Sequence, residues 1–319
     1  MKVAVIGARG FIGARLVQKL VEAGLETVPV GHTGPGQPPD MRVADALDSN
    51  ALTHAIAKCD AAVHAIAGDP ATITGAIAPL LEAARRTGVR RIVYLSSASV
   101  HGQSPAVGTD ESSPLQTGQP IAYNNAKVEA ERLLQATNAA STPEIVILRP
   151  GIVHGPGSRW LRMFARAMHD RSACLVNRGD NICNACHVDN LVEAVRLALT
   201  VPQAAGEAIF IGDDKVVRWR DLYEPIAAAM GRSLNDLPDA PEPFDDAIEE
   251  RRVSRLLRRM FNRYSPRISA ELALLQSCQV RLPQTKAKRL LGYVPPVSLA
   301  QSKRDAERWL RTERPWIRS

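Results

Sequence analysis

A short apolar segment, a glycine-rich turn and an amphipathic helix follow one another directly over residues 1–23. Lys2–Ile6 is typical of a buried strand, and Phe11–Ala23 places its apolar residues at helical spacing. The turn between them has glycine at Gly7, Gly10 and Gly13. Glycines allow a tight bend and close approach to the backbone, and a helix N-terminus offers free N–H groups with a partial positive charge. The feature predicts a βα unit that binds the pyrophosphate of a dinucleotide.

The alternation of short β-rich segments with helical patterns continues to about residue 150. Strands are predicted at 27–30, 61–66, 91–96 and 144–148, with helices such as 73–86 and 123–135 between them. Repeated βα units with apolar strands form parallel sheets that helices cover on both faces. The expected fold class is therefore α/β, a Rossmann-type doubly wound parallel sheet with a smaller, mostly C-terminal part.

Beyond Pro150 the alternation loosens. Helices are predicted at 160–169, 190–199 and 218–230, a late strand at 208–211, and a loop rich in Pro and Asp at 235–246. The expected division is a dinucleotide-binding domain over 1–156, to which 186–212 return, and a substrate-binding part formed by 157–185 and 213–319.

The net charge of +7 suggests an anionic ligand or partner. Six arginines between 251 and 263 alternate with apolar residues at helical spacing, which predicts an amphipathic helix with a basic face. A solvated face is the favoured interpretation, ahead of a clamp for substrate phosphates or a contact with a membrane surface. No recognition motif accompanies the charge, so nucleic acid is not an expected partner.

No apolar run approaches the ~20 residues of a membrane span. The apolar residues before Gly7 are too few for the core of a signal peptide, so a cytoplasmic location is expected. The five cysteines are irregularly spaced, which argues against a disulfide framework. Cys183 and Cys186 form a C-x-x-C pair without a second pair of ligands, so we expect buried reduced thiols and no metal site.

Tyr123 and Lys127 lie four residues apart at the start of a predicted helix, which places them on one face. A free tyrosine has a pKa near ~10 and is a poor base at neutral pH. A neighbouring ammonium favours the phenolate, so we expect a lowered pKa for Tyr123 and a role in proton transfer.

The chain resembles the extended branch of the short-chain dehydrogenase/reductase superfamily, the NAD-dependent epimerase/dehydratase family. The glycine turn has the spacing G-x-x-G-x-x-G, with Phe11 and Ile12 between its last two glycines. His101 and His154 stand where the family's S-S-x-x-V-Y-G and L-R-P-x-x-V-Y-G-P segments usually carry tyrosine. The remaining matches are Tyr123–Lys127, His187–Leu191 and Leu291–Pro295.

The resemblance implies hydride transfer between NAD(P) and a carbon that bears oxygen. It assigns Ser97 to orienting the substrate oxygen, Tyr123 to exchanging the proton, and Lys127 also to holding the nicotinamide ribose. It places Asp45 at the adenine and a group of further residues near the nicotinamide: Pro150, Ile152 and Val153. It also implies a homodimer, for which the helix that starts near Tyr123 is a candidate interface.

The cofactor and the reaction stay open at this level. The end of the second strand, Val30–Thr33, has no carboxylate to bind ribose hydroxyls, and Arg9 and His32 are placed to meet a 2′-phosphate. NADP is therefore favoured over NAD.

Among the reactions, 4,6-dehydration is disfavoured because Ala98 and Ser99 replace the family's acid–base pair. An epimerase or reductase of a sugar or nucleotide-sugar, an NADPH-dependent ketoreductase of a non-sugar substrate, and a non-catalytic sensor or scaffold remain. The arginine with which nucleotide-sugar members of the family grip the diphosphate is replaced here within Cys183–Ala185, although Arg159, Arg178 or the basic helix could substitute for it.

Overall fold

The computed structural model describes residues 1–34, 40–136, 143–240 and 266–316. Its strands are β1 Lys2–Ile6, β2 Glu26–Gly31, β3 Arg42–Val43, β4 Ala61–His64, β5 Arg91–Leu95, β6 Glu144–Pro150, β7 Ile152–His154, β8 Ile182–Cys183, β9 Ala185–His187, β10 Ala208–Ile211 and β11 Val217–Arg218. Its helices are α1 Phe11–Glu22, α2 Ser49–Ile56, α3 Pro70–Gly75, α4 Ile77–Thr87, α5 Ala122–Gln135, α6 Arg159–His169, α7 Val188–Thr200, α8 Trp219–Met230, α9 Ala270–Gln276, α10 Thr285–Leu291 and α11 Leu299–Glu313.

Seven of these strands form one parallel sheet in the order β3-β2-β1-β4-β5-β6-β10. The expected α/β fold with a doubly wound, Rossmann-type sheet is confirmed. The strand order reverses between β1 and β4, and ligands of such sheets bind outside the carboxyl ends of the strands at this switch point. The β1 and β4 ends are therefore where the cofactor site is expected.

Side chains that alternate along the strands supply two separate cores. Val3 and Val5 face a cluster built with α1 and α7, whereas Ala4 and Ile6 face a cluster built with α2, α4 and α5. All four of these side chains are at most 2% exposed. This is the burial on both sides that explains why the strands are nearly continuous apolar runs.

The chain beyond β7 has a third core, between α6, α8 and α11. Phe164 of α6 stacks on Tyr223 of α8, with ring centroids 4.5 Å apart, and Trp219 is fully buried beside them. Two short strand pairs lie near this core, β7 with β9 and β8 with β11. β7 begins two residues after the end of β6, so the β7–β9 pair connects the central sheet to this third core.

Most predicted elements are found with ends shifted by one or two residues. The single helix predicted at 73–86 is wrong, because α3 and α4 are separated at Ala76. Pro79 has no N–H to donate to the carbonyl of Gly75, and glycine is itself a poor helix former, so one continuous helix is disfavoured. The basic helix predicted at 251–263 lies outside the described residues, as does part of the loop predicted at 235–246.

None of the helices in the described ranges has both the length and the apolar character needed to cross a membrane. All five cysteines are buried and unpaired. Burial raises the pKa of the Cys183 and Cys186 thiols well above its usual value, which makes them poor nucleophiles. Within the described ranges no cluster of three or more His, Cys, Asp or Glu side chains is arranged to hold a metal ion.

Candidate active site

The glycine turn joins β1 to α1 at the switch point of the sheet. The N–H groups of Gly7 and Ala8 both donate to the carbonyl of Val30, each over 3.0 Å, which ties the turn to the end of β2. Gly7 has φ +90°, and a Cβ on Gly13 would lie 2.1 Å from the carbonyl oxygen of Gly7. Only glycine fits at these two positions, because the clash would be with backbone.

The first turn of α1 is open to an anion. Gly10 is the N-cap residue and supplies no side-chain cap, so the N–H groups of Phe11, Ile12 and Gly13 have no acceptor within the helix. The N–H groups at this helix N-terminus are free, and the glycines of the turn beside them have no side chains that would keep a ligand away. Both features fit the pyrophosphate of a dinucleotide. The residues present therefore fit an NAD-type cofactor.

The ends of β2 and β3 surround the expected ribose position. Arg9 Nη1 donates to the carbonyls of His32 and Thr33 over 3.1 and 3.0 Å, so its guanidinium lies across the end of β2. Asp45 follows β3, is exposed, and accepts a hydrogen bond from the N–H of Leu47 over 3.0 Å. The structure thus brings Arg9 and His32 together, with Asp45 on the neighbouring strand.

Ser97 lies two residues beyond β5 and is half-buried. It caps the short 3₁₀ helix Ala98–His101, with Oγ accepting from the N–H of Ser99 over 3.2 Å and lying 2.8 Å from the Ser99 hydroxyl oxygen. Its side chain is also close enough to Tyr123 of α5 to act on the pKa of that phenol. Two of the three predicted catalytic side chains are therefore neighbours at the carboxyl edge of the sheet.

Lys127 lies one helical turn beyond Tyr123 and is completely buried. Its Nζ donates to the Leu95 carbonyl over 2.7 Å and to the Tyr94 hydroxyl over 3.3 Å, and lies 5.9 Å from the centroid of the Tyr123 ring. Burial lowers the pKa of Lys127 to about 7, an effect that the charge of Glu131 opposes. The lysine is held by β5 on one side and faces Tyr123 on the other.

The expected lowering of the Tyr123 pKa is wrong for this arrangement. Burial raises the pKa of Tyr123, and the hydrogen bond with Ser97 opposes that rise only in part. Lys127 is directed to Leu95 and Tyr94, and its ammonium makes no hydrogen bond to the Tyr123 hydroxyl within the described ranges. The phenol is thus stabilised in its protonated form.

A buried ion pair behind these residues was missed by reasoning from the sequence. Arg149 of β6 and Glu131 of α5 are both at most 1% exposed and meet over 2.6 Å, and the Ser96 hydroxyl donates to Glu131 over 2.5 Å. Arg149 Nη1 also lies 3.1 Å from Nε2 of His101. One feature of the sequence indicated a buried charge here. Glu131 follows Lys127 by four residues and therefore lies on the same helix face.

The residues predicted to lie near the nicotinamide extend from the end of β6. Pro150 ends β6, and Ile152 and Val153 lie in β7, where the N–H of Ile152 donates to the Asn184 carbonyl over 2.7 Å. A Cβ on Gly151 would lie 1.7 Å from that same carbonyl oxygen. The backbone of the β6–β7 segment therefore contacts the backbone of Asn184, between β8 and β9. This contact lies next to the end of the sheet where Ser97 is found.

A cleft opens at this contact. Ala98, the neighbour of Ser97, lines it on the side of the sheet, and Cys183, Asn184 and Ala185 line it on the other side. A substrate in this cleft would lie against the residue that follows Ser97. The position at which nucleotide-sugar members carry an arginine is occupied here by a buried cysteine.

Comparison with known proteins agrees with this geometry. The model of the NAD dependent epimerase/dehydratase family matches residues 3–212. A 2-alkyl-3-oxoalkanoate reductase of Stenotrophomonas maltophilia is 30% identical, with 95% of this chain and 98% of the relative covered. A UDP-glucose 4-epimerase of Vibrio cholerae is 26% identical over 73% of this chain and 76% of its own length.

Among solved structures, a dTDP-glucose 4,6-dehydratase of Streptomyces venezuelae with bound NAD superimposes with a TM-score of 0.76. The identity is 21%, and the match covers 99% of this chain and 98% of that one, so this likeness shows the fold. The family model covers well over half of the chain and includes the glycine turn, Ser97, Tyr123 and Lys127. The chain belongs to the NAD dependent epimerase/dehydratase family.

Proposed function

We propose that this protein is an NAD(P)-dependent oxidoreductase that transfers hydride at a secondary alcohol or ketone carbon, with Ser97, Tyr123 and Lys127 as its catalytic residues. The observation that carries the proposal is that Ser97 is a neighbour of Tyr123, with Lys127 one turn further along the same helix and 5.9 Å from the Tyr123 ring centroid, at the sheet edge that holds the glycine turn. These are the groups needed to orient and protonate an oxygen.

The three side chains have different tasks. The bound nicotinamide supplies or accepts the hydride. Ser97 donates a hydrogen bond to the substrate oxygen, and Tyr123 delivers a proton to that oxygen or removes it. Lys127, which donates to Leu95 and Tyr94, is assigned to holding the ribose hydroxyls of the cofactor.

Net reduction of a ketone is the reaction that we favour. A phenol whose pKa is raised keeps its proton until an alkoxide develops beside it, which suits Tyr123 to the role of general acid. The replacement of arginine within Cys183–Ala185 argues against a diphosphate-bearing substrate. The relative that is 30% identical along nearly the whole chain is named as a reductase.

Epimerisation of a sugar or nucleotide-sugar is the second candidate. It is favoured by the named activity of the Vibrio cholerae relative. An epimerase returns the hydride to the opposite face of the intermediate ketone and uses the same Tyr123. It differs in that the cofactor is recycled rather than consumed.

We further propose that NADP is preferred to NAD. Arg9 lies across the end of β2, where no carboxylate stands, and its guanidinium can meet a 2′-phosphate together with His32. Asp45 is assigned to the adenine.

The organisation of the chain follows from the same assignments. The substrate-binding part would consist of 157–185 and 213–319, and the cofactor domain of 1–156 with 186–212. We also propose a homodimer, with α5 as a candidate interface, and a cytoplasmic location.

The test is to identify the cofactor and measure its consumption. Purified protein is denatured and any released nucleotide assayed, and affinities for NAD, NADP and their reduced forms are then determined. Stoichiometric oxidation of NADPH with ketones, with weak and exchangeable binding, is the expected result. Tightly retained NAD with isomerisation of a sugar and no net consumption would favour the epimerase, and binding without any turnover would favour a sensor or scaffold.

A further inference from the structure

The cleft beside Ser97 is lined by both apolar and cationic side chains. Ala98, Phe210 and Leu282 pack together and contribute its apolar lining. Lys215 and Arg281, both exposed to solvent, also line it. A molecule bound in this cleft would contact the residue that follows Ser97 and would lie near two cations.

The nearby carboxylates do not neutralise these cations fully. The Asp213 carboxylate is buried and faces inward, with His154 Nε2 at 3.0 Å and the Asn190 amide at 2.7 Å. Asp214 pairs with Lys288 over 2.9 Å, and the charges of Arg281 and Lys215 also lower the pKa of its carboxyl, so one carboxylate is shared by three cations. Arg149, which also reaches the cleft, is paired with Glu131 and contributes little net charge.

Arg281 is positioned by the backbone and retains donors for a ligand. Its Nη2 donates to the carbonyls of Asp213 and Asp214. Within the described ranges, no acceptor is found for its Nε or Nη1, and Lys215 Nζ makes no hydrogen bond or ion pair. A guanidinium held in place with unsatisfied donors, next to a second cation, is suited to an oxyanion.

We propose that Lys215 and Arg281 form an anion subsite for a carboxylate carried by the substrate. The substrate class is then a ketone or secondary alcohol with an acidic group, held with its carbonyl toward Ser97 and its carboxylate toward the two cations. This inference rests on the proposed function, since it names the substrate of the same site.

The test compares binding of an acid and its neutral ester. Isothermal titration calorimetry is performed on the full chain saturated with the oxidised cofactor that it binds more tightly, so that no reduction occurs. The probes are 3-oxohexanoate and ethyl 3-oxohexanoate. We expect the wild type to bind the acid at least tenfold more tightly, and Lys215→Gln to remove most of that preference while leaving the ester's affinity within twofold.

Two further variants guard against structural effects. Arg281→Lys retains a cation and donors and should weaken acid binding less than Arg281→Gln. Lys58→Gln removes a matched exposed cation that follows α2, lies outside the cleft lining and makes no hydrogen bond or ion pair within the described ranges, and it should leave the preference for the acid unchanged. Circular dichroism melts of all variants identify any that fail to fold, and Lys215→Gln, which loses no hydrogen bond within the described ranges, then decides.

The subsite is overturned if acid and ester bind equally to the wild type, if neither binds, or if Lys58→Gln has the same effect as Lys215→Gln. Steady-state reduction separates this result from the proposed function. Equal reduction of acid and ester with equal KM supports the reductase and overturns the subsite. Selective acid binding without NADPH or NADH oxidation supports the subsite and contradicts the reductase.

Discussion

The two walls of the active site are built by different means. On the cofactor side, the decisive contacts are with backbone: a Cβ at Gly13 would meet a carbonyl oxygen at 2.1 Å, and the pyrophosphate site consists of N–H groups. On the cleft side, side chains from separate segments meet, among them Cys183, Lys215 and Arg281.

This difference separates binding of the cofactor from choice of substrate. A wall made of backbone has no room for a new side chain. It is suited to the cofactor, which is the same in every reaction cycle. A wall made of side chains can change its charge without moving the sheet, and this is where the chain departs from the nucleotide-sugar pattern. We therefore expect substitutions at the sheet edge to affect catalysis or cofactor affinity, and substitutions in the cleft to affect KM.

The largest effect is expected for Tyr123→Phe. Removing the hydroxyl leaves no proton donor for the developing alkoxide, and general acid catalysis contributes roughly 10²–10⁴-fold to rates. We expect kcat to fall by about 10³-fold with cofactor affinity within about threefold of wild type. Stopped-flow or steady-state absorbance at the reduced nicotinamide band measures the rate, and fluorescence titration measures the affinity.

Substantial residual turnover in Tyr123→Phe would remove this residue from its role. A matched control is Tyr293→Phe, which removes a buried hydroxyl that donates to the Gly212 carbonyl over 3.1 Å. It should lower the free energy of unfolding by about 1 kcal/mol and leave kcat nearly unchanged, because an ordinary hydrogen bond contributes that much.

Gly13→Ala should weaken cofactor binding by about 10²-fold, since the new methyl group overlaps the Gly7 carbonyl and forces the turn to open. The control is Gly24→Ala, which lies beyond the other end of α1. Gly24 has φ +80° but no atom within 4 Å of an added Cβ, so strain of about 1 kcal/mol is expected without loss of cofactor affinity. Equal affinities for the two variants, by calorimetry, would contradict a backbone-built site.

The same difference explains what the sequence could and could not predict. Gly7, Gly10 and Gly13 lie within one short turn, and their effect is local, so the cofactor side could be predicted from their spacing. The parallel sheet could be predicted from the repeated βα units with buried strands.

The interior charges and the cleft could not be predicted in this way. The raised pKa of Tyr123 depends on how deeply α5 is buried, and on the hydrogen bonds that draw Lys127 toward Leu95. Lys215 and Arg281 are far apart in sequence and meet only because the segment after β10 packs against the segment before α10. Such proximity is set by tertiary packing and leaves no local pattern.

Gly31→Asp tests how the cofactor side distinguishes NADP from NAD, which depends on side chains at the end of β2. A Cβ at this position would lie 3.3 Å from Met41 Sδ and 3.6 Å from Arg9 Cγ, so the residue fits with a small shift. The new carboxylate would bind ribose hydroxyls and repel a 2′-phosphate, and we expect the ratio of NADP to NAD affinity to fall by about tenfold. Gly31→Asn is the uncharged control; an unchanged ratio in Gly31→Asp would mean that the ribose is recognised elsewhere.

The smallest effect concerns stability. It tests whether a buried histidine on the cofactor side lowers the free energy of unfolding at acid pH. His64 ends β4, stacks on Tyr94 with centroids 5.3 Å apart, and has no hydrogen-bond partner for either ring nitrogen within the described ranges. Burial, reinforced by the charge of Lys127, lowers the pKa of His64 to about 3. Between pH 6.5 and 3 the unfolded chain therefore binds a proton that the folded chain does not, and the free energy of unfolding falls as the pH falls.

Replacing His64 removes that proton uptake. From pH 6 to 4, the free energy of unfolding of His64→Leu should decline less steeply than that of wild type, by about 1.4 kcal/mol per pH unit. Urea titrations at a series of pH values measure the two slopes, and His54→Leu, a change at an exposed histidine of α2, should keep the wild-type slope. Parallel curves for His64→Leu and wild type would show that this ring is protonated in the fold, and that the interior beside Lys127 is more accessible to water than its burial indicates.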